Sequence, residues 1–68
     1  MNEETFNMSI RKFLKMVGVR SQTKIEHAVA KAIADGKLKG SEALPARMQL
    51  TIDKFSLNLA LDGEIRLE

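Results

Sequence analysis

Leu14-Lys15-Met16-Val17-Gly18-Val19-Arg20-Ser21-Gln22-Thr23 lies between two runs of helical periodicity, and whether the chain turns there decides the fold. Upstream, Phe6, Ile10, Phe13, Leu14 and Val17 follow at spacings of four, three, one and three, one stripe of a 3.6-residue helix. Downstream, Ile25, Ala28, Val29, Ala32 and Ile33 form a second stripe. Gly18 can take the left-handed conformation of a helix C-cap without steric penalty. Ser21 or Thr23 can open a new helix, and Thr23 with Glu26 has the spacing of a capping box. The sequence therefore predicts a turn over Gly18-Val19-Arg20-Ser21-Gln22 joining helices 3–17 and 22–35, packed as a helical hairpin or a helix-turn-helix.

The outer ends are signalled independently. Asn2 is the expected N-cap, with Glu3 and Glu4 in the first turn where the macrodipole favours negative charge. Asp35-Gly36 closes the second helix. Lys37 to Arg47, with Gly40, Ser41 and the only proline, Pro45, reads as a connecting loop held by Leu38 and Leu44. From Met48 the period becomes two, which predicts strands 48–53, 55–60 and 64–67.

An Asp53-Lys54 turn would pair Ile52 with Phe55, Leu50 with Leu57 and Met48 with Leu59. A loop Leu61-Asp62-Gly63 would then set Leu59 opposite Ile65 and Leu57 opposite Leu67. The expected fold is α+β over one domain, residues 1–68. An N-terminal helical hairpin packs on one face of a two- or three-stranded antiparallel β-meander. The terminal Leu67-Glu68 also reads as a cloning remnant.

Composition narrows the function. The 68 residues are 44% apolar and 29% charged, the balance of a chain that folds. With no Cys and one His, disulfide frameworks, zinc ribbons and cysteine nucleophiles are excluded. No apolar run reaches a membrane span, and the acidic N-terminus is unlike a signal peptide, so a cytoplasmic protein is expected.

Catalytic material is thin. His27 projects away from the Ile25, Val29 and Ile33 stripe and has no second His or Cys as a ligand partner, so it reads as an exposed side chain. Ser9, Ser21, Ser41 and Ser56 lack nucleophile context. Gly36-Lys37-Leu38-Lys39-Gly40-Ser41 resembles a phosphate loop only superficially, since it follows a helix and lacks the Lys before the Ser. Asp35, Glu42, Asp53, Asp62 and Glu64 do not have the order of a calcium loop. The expectation is a protein that is not an enzyme, with no catalytic residue, cofactor or metal.

Surface chemistry is more informative. Residues 1–40 carry eight basic against four acidic side chains, a balance of +4, and residues 41–68 carry three against five, a balance of −2. A helix-turn-helix on nucleic acid would use Lys24, His27 and Lys31 toward bases and Arg11, Lys12 and Lys15 toward phosphates. That reading is disfavoured, because the face is poor in Arg and Asn and a net charge of +2 is modest for phosphate contacts. Met8, almost opposite the first stripe and among Lys12 and Lys15, points instead to an adaptable protein contact. The candidate binding residues are thus Met8, Arg11, Lys12, Lys15, Lys24, His27 and Lys31. The first-ranked partner is another protein or a weak homo-oligomer, and nucleic acid ranks second.

Phe6-Asn7-Met8-Ser9-Ile10-Arg11-Lys12-Phe13-Leu14, Gly18-Val19, Ser21-Gln22, Leu44-Pro45-Ala46, Leu50-Thr51-Ile52 and Asp62-Gly63-Glu64-Ile65 carry a resemblance. Across the whole chain, the sequence resembles a family of short bacterial proteins, mostly from proteobacteria, of uncharacterised activity. The resemblance implies a stand-alone protein and supplies no ligand or catalytic residue.

Overall fold

A computed structural model describes residues 1–68, which divide into two compact units, Met1–Lys37 and Leu38–Glu68. The first unit is one uninterrupted helix, α1, Glu3–Ala34, 32 residues and about 48 Å long. Both outer ends form as the sequence predicts. The Asn2 side chain accepts a hydrogen bond from the Thr5 amide at 3.0 Å, and Glu3 and Glu4 occupy the first turn. At the other end the Gly36 amide donates to the Ile33 carbonyl and the Lys37 amide to that of Ala32. With Gly36 at φ +79°, this is a Schellman closure that fills two of the four orphan carbonyls.

The turn at Gly18–Gln22 is absent, so there is no helical hairpin and no helix-turn-helix. Thr23 caps nothing; its hydroxyl donates back to the Val19 carbonyl at 3.2 Å, inside the helix. The physical reason is a comparison of costs. One glycine in a helix interior costs about 1 kcal/mol relative to alanine. A break orphans about eight backbone groups, four carbonyls and four amides, each needing a new partner. No proline forces the break, and Arg20 and Gln22 propagate a helix well.

The second unit is a β-hairpin. Strand β1 spans Ala43–Ile52 and β2 spans Leu57–Arg66, paired antiparallel from Ile52↔Leu57 through Leu50↔Leu59 and Met48↔Leu61 to Ala43↔Arg66. The expected pairing is displaced by two residues, so side-chain parity survives and the apolar set stays on one face. The displacement follows from the turn. A two-residue Asp53-Lys54 loop needs positive φ at both positions in a type I′ turn, or at Asp53 in a type II′ turn that favours Gly there. The observed loop, a single 3₁₀ turn Asp53–Phe55 followed by Ser56 at φ 59°, needs it once. Phe55 leaves the strand and stands 67% exposed in the loop.

No third strand forms. Asp62 and Gly63 lie within β2, opposite Arg47 and Ala46. Extending β1 back to Ala43 lets β2 pair over ten residues, where a turn at Gly63 would strand half of β1. Pro45 is tolerated because both strands of a two-stranded sheet are edges. Asp62 serves as an ion-pair partner, accepting from Arg47 Nε at 2.6 Å on the polar face.

Within each unit by itself, no side chain is buried. A lone helix and a two-stranded ribbon are each one layer thick, and a core needs at least two.

Gly18→Ala discriminates a helix from a turn at this point. An added Cβ meets nothing within 4 Å, so the variant is expected to gain about 0.5–1 kcal/mol of helix stability, read from circular dichroism on heating. Loss of helicity instead would place Gly18 in a left-handed turn.

Candidate interaction surfaces

The continuous helix joins two stripes that the sequence assigned to separate elements. At about 100° per residue, Phe6, Ile10, Phe13 and Val17 share a face with Ile25, Ala28 and Ala32, and Ser21 lies between the two sets. Val17, Ser21 and Ala32 are half-buried within the helix, whereas Phe6, Phe13 and Ile25 are exposed.

The hairpin carries the second apolar surface. Strand alternation puts Leu44, Ala46, Met48, Leu50 and Ile52 on the same face as Leu57, Leu59, Leu61, Gly63 and Ile65. The opposite face carries Arg47 against Asp62 and a Gln49 amide donating to Asn58 Oδ1 at 3.0 Å. Met48, Leu59 and Leu61 are 43%, 44% and 54% exposed. Such segregation is the pattern of a half-buried sheet. Sequence reasoning missed this face because the alternation that reveals a strand also reads as core, and it says nothing about what covers it.

The residues proposed for binding fall in two places. Met8, Arg11, Lys12 and Lys15 come together, with Thr5 and Ser9, around a shallow depression on one side of α1. Lys24, His27 and Lys31 lie about 140° around the helix and about 24 Å further along it. No single surface unites the seven. Lys31 is engaged with Asp35 at 3.1 Å in an exposed ion pair of small worth.

The phosphate-loop-like stretch has a definite structure. The amides of Lys39, Gly40 and Ser41 all donate to the carboxylate of Glu42, at 2.8 to 3.1 Å, with Gly40 at φ +103°. A concave run of amides of this kind suits an anion, and the chain fills it with its own side chain. These bonds, led by that of Lys39, hold the Glu42 carboxyl below its ordinary value. The Glu42 backbone carbonyl accepts from the Leu67 amide at 2.9 Å, which ties this loop to the end of the hairpin.

One helix followed by one β-hairpin defines a small α+β protein. The chain belongs to the family of unknown function DUF6494, whose model matches residues 1–68. No curated protein and no solved structure matches it. No helix is long and apolar enough to cross a membrane.

Because the folded Glu42 pKa is lowered, its contribution is present above the unfolded pKa and lost as pH falls through the folded one. In an NMR titration, the Lys39, Gly40 and Ser41 amide protons are expected to move together, with a midpoint below the ordinary glutamate range. Glu42→Gln should abolish that step; a midpoint at the ordinary value would mean that the cradle does not form.

Proposed function

We propose that this protein is a non-enzymatic interaction module of the cytoplasm that works by self-association or by capping an apolar surface of another protein. The supporting observation is the two-faced hairpin, with Met48, Ile52, Leu57, Leu59 and Leu61 of its apolar side exposed and the pairs Arg47–Asp62 and Gln49–Asn58 on its polar side. A contiguous apolar surface of this kind marks an association site, and an isolated two-stranded hairpin is marginally stable in water at best. Covering the face therefore serves folding and binding together.

A nucleic-acid function has less to support it. Its geometry required a recognition helix entered through a turn at Gly18–Gln22, and that segment is helical. The basic side chains remain, divided between two sides of α1.

Sedimentation velocity across a wide concentration range tests the reading. A shift from the 7.6 kDa monomer to a dimer or larger species is expected. A monomer at every concentration, with no apolar partner captured, would overturn it. Leu59→Lys puts a charge at the centre of the apolar face opposite Leu50 and should weaken association by about thirtyfold, equivalent to about 2 kcal/mol. Thr51→Lys, on the polar face, should leave association unchanged.

A further inference from the structure

We infer that the occupant of the helical stripe is a second copy of this chain, with the two α1 helices paired antiparallel about a two-fold axis at Val19. This rests on the self-association reading and adds to the hairpin face a second surface on α1, with an orientation and a register. The stripe Phe6, Ile10, Phe13, Val17, Ser21, Ile25, Ala28, Ala32 has spacings of four, three, four, four, four, three and four, the same read from either end. Each member therefore has a counterpart equidistant from Val19. Antiparallel pairing sets Phe6 against Ala32, Ile10 against Ala28, Phe13 against Ile25 and Val17 against Ser21.

Size decides the orientation. Apart from Ile25 the bulky members lie in the first half and the small ones in the second, so the antiparallel register opposes the larger to the smaller side chain in three of the four layers, and Phe13 meets Ile25 in the other. A parallel pair would set Phe6 on Phe6 and Ala32 on Ala32, forcing the axes apart at one end and together at the other. Close packing favours the arrangement that keeps the spacing even.

Charge agrees. The acidic first turn with Glu3 and Glu4 comes beside a last turn whose Lys31 and Asp35 neutralise each other, and the two helix dipoles run in opposite directions, which is their favourable alignment. A parallel pair would place like charges at both ends. Lys24 intrudes on the stripe opposite Leu14, where its aliphatic stem packs and its ammonium reaches water. Arg20 meets its copy at the rim, where solvent screens the repulsion.

Area is sufficient. Phe6, Phe13 and Leu14 are 49%, 46% and 55% exposed, and Ile10 and Ile25 somewhat less. With about 70–100 Å² open on each, two copies bury about 1,000 Å² once the smaller members are counted, the threshold of a specific interface.

The test uses the full chain, which has no native cysteine to confuse labelling. Nitroxide labels go on Thr5→Cys and, separately, Gln22→Cys, both off the stripe, for pulsed dipolar distances within the dimer. Antiparallel pairing is expected to give about 50 Å at Thr5 and about 25 Å at Gln22. Equal short distances would overturn the orientation and leave self-association standing. Dimers without a defined distance at either site would show that another surface mediates contact, and a monomer in sedimentation would overturn both readings.

A size exchange supplies the second arm. Ala28→Phe should weaken dimerisation at least tenfold by overfilling the site against Ile10 on both sides of the two-fold. Adding Ile10→Ala should restore it. Failure of the double variant to recover, while both variants keep wild-type helicity, would overturn the register.

Discussion

Backbone hydrogen bonding and side-chain burial are satisfied on different scales in this chain, and that mismatch governs the rest of the structure. A helix closes its ladder within itself, and a hairpin closes its ladder across two strands, so both elements meet the main-chain requirement locally. Neither hides a side chain, because a single layer has no inside. Cross-strand pairs such as Leu50 with Leu59 contribute about 0.2–1 kcal/mol each, too little to order ten paired residues against their conformational entropy. The missing stabilisation must come from whatever covers the apolar faces.

The ends of the elements were more legible in the sequence than their continuity. Asn2 at the start of the helix and Gly36 at its end announce themselves through local chemistry, because a cap is a contact between residues three or four apart. Gly18 carried the same signal with the opposite outcome. A glycine next to good capping residues suits both a turn and a helix interior, and the choice depends on whether a second helix repays the broken ladder. In the hairpin, alternation from Met48 fixed which residues share a face, while the turn fixed the register only to within two residues. Asp62-Gly63 is a turn dipeptide that the longer ladder overrides, with Asp62 drawn into an ion pair with Arg47.

The candidate site was legible in part. Met8, Arg11, Lys12 and Lys15 do cluster, since residues three and four apart on a helix are neighbours. Lys24, His27 and Lys31 were grouped with them through an imagined recognition helix, and a straight helix carries them to another side. The apolar members of both stripes were assigned to an interior. They are exposed instead, and the symmetry of their spacing about Val19 becomes visible only when the helix is known to run through Gly18. Likewise, the glycine-bearing stretch before β1 does cradle an anion, but the anion is the carboxylate of Glu42.

Anything that binds the folded state and not the unfolded one makes stability depend on concentration. Amide hydrogen exchange of α1, β1 and β2, measured at increasing protein concentration and fixed pH, reads this at the elements concerned. If another copy covers the apolar faces, protection should rise with concentration and level off as dimer saturates. Strong protection that is the same at all concentrations, in a chain that sediments as a monomer, would mean that the elements are stable without a partner.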